Sequence, residues 1–216
     1  MARNWAGRFV DPDDALLVLI DVQPFFLDLV EGDLEPLVAR LEHLVLLAGT
    51  CEIPTIATFE HPVERNGWLP ERLERVFPPM PLGQRFVKCT FNMCAESEIS
   101  AAVVASGKRQ AIVAGAETDV CVLQSALGLL DLGLQVFLVE DCLFTAEPND
   151  GPALRRLYGA GAIPTTYKTL HYELKRTVAV PALHHDWNAR YGDGSAPFVD
   201  PYELPPVPHR RQLDAT

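Results

Sequence analysis

The sequence predicts an α/β fold: a mostly parallel six-stranded sheet with helices on both faces, in a three-layer α/β/α arrangement. Short apolar, branched runs alternate along the whole chain with longer segments that have helical periodicity. Glycines such as Gly49, Gly107 and Gly133 follow those helical segments, where a helix commonly ends. Regular alternation of strand and helix favours parallel pairing, because a crossover between parallel strands usually needs a helix.

Each strand is predicted from an apolar run. The first, from Ala15 to Ile20, is continuously apolar and ends at Asp21, which is typical of a strand that is buried on both faces. The predicted strands cover residues 15–20, 54–59, 85–90, 110–114, 135–140 and 162–167.

The helices are predicted from apolar residues at spacings of three and four. Leu34, Leu37, Val38 and Leu41 follow this spacing in the first of them. The predicted helices cover residues 34–48, 96–106, 121–132, 151–161 and 169–176, and a proline-rich loop covers 62–83.

The length of 216 residues suits one domain with a full core. Residues 1–192 are predicted to form this domain. Residues 193–216 contain prolines that interrupt any periodic structure, and we expect an irregular tail that lies on the domain or reaches a neighbouring subunit.

Composition excludes several classes of partner. A net charge of −11 argues against nucleic acid, which needs a basic face, and against an anionic membrane surface. The sequence contains no apolar stretch of about 20 residues, and its N-terminus lacks the apolar core of a signal peptide. Its 5 cysteines include no C-x-x-C pair, which is typical of a reducing compartment. We therefore expect a cytoplasmic protein that acts on a small molecule.

The most informative segment is Gly115 to Val122, which leads from a predicted strand through a polar turn into a predicted helix. Cys121 lies at the expected helix start, where free backbone N–H groups and the helix dipole favour the nucleophilic thiolate. The same N–H groups could hold an oxyanion. The alternative is an inert cysteine packed as a small apolar residue.

Asp21 and Lys88 also fall at or near the carboxyl ends of predicted strands, the edge at which ligands bind in open α/β sheets. Alone, Asp21 could be a cap and Lys88 a solvated lysine. Together with Cys121 they suggest a reactive group, because a carboxylate can take the thiol proton and an ammonium can stabilise the resulting anion.

From residue 15 to 172 the chain resembles the isochorismatase-like cysteine hydrolase superfamily, which includes nicotinamidases and N-carbamoylsarcosine amidases. The resemblance rests on Leu19-Ile20-Asp21-Val22-Gln23, on the strand with Lys88, on Gly115-Ala116-Glu117-Thr118-Asp119-Val120-Cys121-Val122, and on Val139-Glu140-Asp141-Cys142. It implies the isochorismatase-like hydrolase fold and an oligomer, either a dimer or a tetramer.

The resemblance also implies roles for the site residues. Cys121 would be the nucleophile that forms a thioester, Asp21 the general base and acid, and Lys88 the stabiliser of charge. A cis peptide would join Ala116 to Glu117, and the backbone N–H groups of Glu117 and Cys121 would form the oxyanion hole.

The resemblance argues against a metal. Nicotinamidase relatives bind one through an Asp-x-His-Pro segment, and here that place reads Phe59-Glu60-His61-Pro62. Phenylalanine replaces the ligand, and His61 alone cannot supply the three or four ligands that zinc needs. We therefore expect no metal and no cofactor.

Five residues next to these motifs are candidate substrate-binding residues: Phe25, Phe26, His61, Phe91 and Asn92. The phenylalanines could equally be core residues. Retention of Cys121 favours hydrolysis of an amide-type C–N bond. Hydrolysis of a vinyl ether, as in isochorismate cleavage, and an inactive family member that acts as an interaction protein remain alternatives.

Overall fold

The structure is a computed structural model that describes residues 9–175 and Leu204. The predicted domain boundary at residue 192, the last residue of the predicted final helix and all of the predicted tail except Leu204 lie outside the described residues.

The described residues form one six-stranded sheet in the order β3-β2-β1-β4-β5-β6, and every pairing is parallel. This confirms the predicted fold class. The strands are Ala15–Ile20 (β1), Thr55–Glu60 (β2), Gly83–Lys88 (β3), Gln110–Gly115 (β4), Gln135–Leu143 (β5) and Ile163–Thr165 (β6).

Eight α-helices lie among the described residues: Pro24–Asp28 (α1), Glu35–Thr50 (α2), Val63–Asn66 (α3), Glu71–Glu74 (α4), Ser97–Ala105 (α5), Leu123–Asp131 (α6), Gly151–Gly159 (α7) and Tyr167–Lys175 (α8). Met93–Ala95 is a 3₁₀ turn and Thr118–Val122 a π-helical turn. The sequence did not predict α1, which has Pro24 in its first turn, and α3 and α4 lie inside the predicted proline-rich loop. No helix in the described part of the chain is both long and apolar enough to span a bilayer.

The core has two layers, one on each face of the sheet. Side chains alternate along β1, so Leu17 and Leu19 pack in one layer and Val18 and Ile20 in the other. The first layer includes apolar residues of α2 and α8, and the second includes those of α5, α6 and α7. This burial on both faces explains why β1 is continuously apolar.

The strand order reverses between β1 and β4, which is where open α/β sheets bind ligands. Gly115 allows the two strands to approach closely at this point. Its φ is 119°, and a Cβ atom there would lie 1.9 Å from the carbonyl oxygen of Ile20. The turn that carries Cys121 therefore begins directly beside the carboxyl end of β1.

Candidate active site

Asp21 follows the last residue of β1, and its side chain is fully buried. Its φ is 49°, a left-handed conformation that aspartate tolerates better than most residues. The backbone N–H donates to the carbonyl of Thr58 (3.1 Å), and the Thr58 hydroxyl donates to Asp21 Oδ1 (2.9 Å). Neighbouring β2 thus holds the carboxyl group in one orientation.

Lys88 ends β3, the outermost strand, and its long side chain reaches across the end of β2 toward β1. Its Nζ atom lies 2.7 Å from Asp21 Oδ2 and donates to the carbonyl of Thr90 at 3.1 Å. Both Lys88 and Asp21 are 0% exposed. The two residues form a buried ion pair.

Cys121 lies in the π-helical turn Thr118–Val122, two residues before α6 begins. The N–H of Val122 donates to the carbonyl of Glu117 (3.0 Å), which closes this wider turn. The Cys121 sulfur is 3.3 Å from Lys88 Nζ and 3.2 Å from Glu60 Oε2, and the residue is 3% exposed. The structure therefore brings the three predicted residues into contact, with the cysteine inside the turn rather than at the first residue of the helix.

The surroundings of the Cys121 sulfur oppose the thiolate that the sequence predicts. Burial raises the pKa of Cys121, and the nearby carboxyl groups of Asp21 and Glu60 raise it further, whereas the Lys88 ammonium lowers it. These effects favour a protonated thiol, whose S–H group donates a hydrogen bond to Glu60 Oε2. Desolvation and two carboxyl groups outweigh the dipole of the helix, which starts beyond the cysteine.

Asp21 and Lys88 are tuned for different tasks. Burial raises the pKa of Asp21, although Lys88 opposes this effect. The raised pKa makes the Asp21 carboxylate a stronger base. Burial alone would lower the pKa of Lys88, but the charge of Asp21 and the hydrogen bonds to Asp21 and the Cys121 sulfur raise it, so the amine stays protonated. The pair supplies a base and a permanent cation beside one sulfur.

Glu60, the last residue of β2, is a member of this site that sequence reasoning did not select. Oxygen atoms of Asp21 and Glu60 and the Cys121 sulfur all lie within 4.8 Å of one another, a grouping that could in principle hold a metal ion. Lys88 Nζ contacts all three groups, at 2.7, 3.9 and 3.3 Å respectively. The ammonium already occupies the place of a cation.

The candidate substrate-binding residues fall into different environments. Phe26 is 6% exposed and packs in the core layer that includes α2, as expected if it is a core residue. Phe25 is half-buried beneath the Arg65 guanidinium. Phe91 is 53% exposed and His61 is also exposed. The Asn92 side chain accepts from the N–H of Cys94 (2.9 Å) and packs against α6. Contact of these residues with a substrate stays a prediction.

The remaining predicted feature is the peptide between Ala116 and Glu117, which is cis. Beside this turn, the Asp119 carboxylate accepts from the Thr145 hydroxyl at 2.7 Å. Thr145 also lines a cavity of about 590 Å³ between the segments 30–37 and 140–150. Neither Cys121 nor a candidate substrate-binding residue lines that cavity.

Known proteins are similar to this chain over most of its length. The sequence model described as "Isochorismatase domain" matches residues 15–169. The probable hydrolase YcaC of Escherichia coli K12 is 35% identical over 181 residues, which are 82% of this chain and 81% of YcaC.

Two solved structures are similar over most of the fold. One is YcaC from Pseudomonas aeruginosa with hexane-2,5-diol and covalent acrylamide, with a TM-score of 0.75 and 28% identity over 84% of this chain and 90% of that one. The other is E. coli YcaC, described as an octameric hydrolase of unknown specificity, with a TM-score of 0.72 and 31% identity over 79% and 83% of the two chains. Since the family model and the curated relative both cover most of its length, this chain belongs to the isochorismatase family of hydrolases.

Proposed function

We propose that this chain is a metal-independent cysteine hydrolase that cleaves an amide-type C–N bond of a small molecule through a thioester intermediate. The observation that carries the proposal is the position of Lys88 Nζ, 2.7 Å from the Asp21 carboxylate and 3.3 Å from the Cys121 sulfur. A base, a cation and a nucleophile thus meet at the ligand-binding edge of the sheet.

In the acylation half-reaction, the Cys121 thiol turns its proton from Glu60 toward Asp21, which also lies within hydrogen-bonding reach, and Asp21 takes the proton while the sulfur attacks the carbonyl carbon. The raised pKa of the thiol favours proton transfer in the same step as attack over a pre-formed thiolate. The S–C bond forms, and the carbonyl π electrons move to oxygen. When the oxyanion collapses, the C–N bond breaks and Asp21 gives its proton to the leaving amine.

The oxyanion would be held by the backbone N–H groups of Glu117 and Cys121. The N–H of Glu117 makes no backbone hydrogen bond to another described residue, so it is free to donate to a substrate. Donors that are fixed before the reaction stabilise developing charge without reorganisation.

In the deacylation half-reaction, the oxygen of a water molecule attacks the thioester carbonyl while Asp21 takes a proton from that water. The C–O bond forms, the second oxyanion collapses with cleavage of the C–S bond, and Asp21 returns the proton to the sulfur. Lys88 keeps its proton throughout and offsets the negative charge that passes between sulfur and carboxylate.

The P. aeruginosa YcaC structure, which is similar in fold, is described with covalent acrylamide, and this supports a proposal that includes a covalent step. We therefore propose that the Cys121 sulfur is reactive rather than an inert core residue.

The test is hydrolysis of a panel of small primary amides by the wild type, Cys121→Ala and Asp21→Asn. We expect each substitution to reduce kcat at least about 10³-fold while the fold stays intact, because each removes a group that takes part in both half-reactions. Cys51→Ala is the matched control, since that thiol lies at the end of α2. Intact mass spectrometry should detect an acyl adduct on wild type only.

Full amide hydrolysis by Cys121→Ala would refute the covalent route. Cleavage of isochorismate by that variant would instead favour ether hydrolysis by the acid group. Wild-type protein that turns over neither substrate class would favour the interaction protein.

We also propose a homo-oligomer, which the octameric E. coli YcaC supports. The cytoplasmic location stays a proposal that rests on the sequence. Light scattering of the full chain, with and without residues 193–216, measures the assembly and tests whether the proline-rich segment contributes to it.

A further inference from the structure

Glu60 has a position that the proposed mechanism does not use. It ends β2, between the strand that leads to Asp21 and the strand that carries Lys88, and it pairs with Lys88 in the sheet register. Its Oε2 atom accepts from the Cys121 sulfur at 3.2 Å and lies 3.9 Å from Lys88 Nζ. A second carboxylate therefore touches the reacting atom.

Two side-chain amides hold the backbone of Glu60 in this position. Its N–H donates to Gln23 Oε1 (2.7 Å), and its carbonyl accepts from Gln23 Nε2 (3.3 Å) and Asn66 Nδ2 (3.1 Å). Gln23 and Asn66 are both buried. Because two buried amides fix the strand end, the carboxylate is a built part of the site rather than a chance neighbour.

The charges in the site are not balanced. The fully buried side chains of Asp21 and Lys88 form a 2.7 Å ion pair and offset each other. Glu60 is a further anion, and its side chain is 25% exposed, so it is the acidic group of the site that solvent reaches. Its negative charge is therefore the one in this group of side chains that a molecule can contact from solvent.

We infer that Glu60 determines specificity by charge: it admits neutral or cationic amides that can donate an N–H to it, and it disfavours substrates that carry a carboxylate near the scissile bond. The selection among substrates rests on the proposed function, but the charge selection itself applies to any molecule that reaches Cys121. It also separates the amide reaction from cleavage of isochorismate, a dicarboxylate.

Two other charged groups lie nearby in sequence. Arg65 places its guanidinium 4.3 Å from the ring centroid of Phe25, and Glu64 is exposed in α3. Among the described residues, the cation paired with Glu60 is Lys88, which Asp21 holds more closely. Glu64→Gln therefore provides a matched control that removes one negative charge four residues further along the chain, in α3.

The test compares alkylation of Cys121 by iodoacetamide and iodoacetate, which have nearly the same shape and differ by one negative charge. In each case the sulfur displaces iodide, and peptide mapping measures the rate at Cys121 alone. The ratio of the two rates, divided by the ratio for a free cysteine peptide, cancels differences in thiol pKa.

We expect the wild type to prefer iodoacetamide, and Glu60→Gln to reduce that preference about tenfold, the size expected for one partly exposed charge a few Å away. Glu64→Gln should leave it unchanged. Raising the salt from about 20 mM to about 500 mM should weaken the preference in the wild type, which tests the charge without any substitution.

The inference would be overturned if the ratio of the iodoacetamide rate to the iodoacetate rate were the same in all three proteins. It would also be overturned if Glu64→Gln reduced that ratio as much as Glu60→Gln does. Failure of both reagents to label wild-type Cys121 would also overturn it, since a charge that no molecule reaches selects nothing. Hydrolysis of neutral and carboxylate-bearing amides is measured in parallel. A changed labelling ratio without any amide turnover would refute the proposed function and leave the charge selection standing.

Discussion

Replacing Lys88 by methionine should destabilise the protein in a pH-dependent way. Methionine keeps most of the apolar stem and removes the ammonium, which leaves the Asp21 carboxyl group buried without its cation. The variant must either keep an unpaired charge in the core or protonate Asp21. Both cost free energy at neutral pH, and only the second becomes easy in acid.

The distance sets the magnitude. At 2.7 Å the gross attraction of the pair is about 6 kcal/mol for an effective dielectric constant of about 20. Desolvation offsets part of it, and removing one partner of a buried pair typically costs about 3–5 kcal/mol. We expect a loss in that range near neutral pH.

The sign of the pH dependence follows from linkage. Loss of the ammonium raises the folded pKa of Asp21 further above its unfolded value, which is about 3.9. In the wild type the folded pKa of Asp21 is already raised, so the penalty is small below that folded pKa and grows by up to about 1.4 kcal/mol per unit above it, until the carboxyl group of the folded variant ionises. In the wild type the raised pKa of Lys88 works in the opposite range, since its stabilisation is lost only as the pH rises through that value in alkali.

The assay is equilibrium urea unfolding of both proteins near pH 5 and pH 7, at one protein concentration because assembly also affects stability. Lys168→Met, at an exposed position in α8, is the control and should change stability by less than about 1 kcal/mol. A Lys88→Met penalty that is equal at both pH values would refute the reasoning, because it would show that Asp21 does not titrate in response to the lost ammonium.

Three further predictions concern the same edge of the sheet. Thr58→Val removes the hydroxyl that orients Asp21, and we expect kcat to fall about tenfold with little change in KM. Thr58→Ser keeps a hydroxyl and should retain activity, so equal activity of the two variants would count against this role. Gly115→Ala should destabilise the protein by more than about 3 kcal/mol, since its Cβ would lie 1.9 Å from the Ile20 carbonyl oxygen, and thermal melts showing an unchanged Tm would contradict it. Alkylation of Cys121 by iodoacetamide should rise about tenfold per pH unit between about pH 7 and pH 9, because its raised pKa keeps the thiol protonated, and a rate that is flat over that range would indicate a thiolate at rest.

The sequence was informative wherever an apolar run ended at a polar side chain. Asp21, Lys88 and Cys121 were selected because parallel strands bring their carboxyl ends to one edge, and the structure brings all three into contact there. Their catalytic roles stay predictions, since contact alone does not measure proton transfer.

The sequence did not predict two features of the site, and each has a physical reason. The predicted second strand ended at residue 59, so Glu60 was assigned to a loop, whereas β2 includes it and pairs it with Lys88. The raised pKa of Cys121 depends on burial and on the neighbouring carboxyl groups of Asp21 and Glu60, and the sequence around Cys121 shows neither effect. Phe26 illustrates a related limit, because α1 turns it into the core although it is adjacent in sequence to the site.

The position of β3 at the sheet boundary has a consequence for how the protein loses activity. Among the strands formed by residues 9–175, its only partner is β2, whereas β1 and β4 each have two. Outer strands fray at lower cost than central ones. A fluctuation that detaches this one strand would withdraw the Lys88 ammonium while the rest of the molecule persists. Reversible inactivation in mild denaturant should therefore precede the cooperative transition seen by circular dichroism.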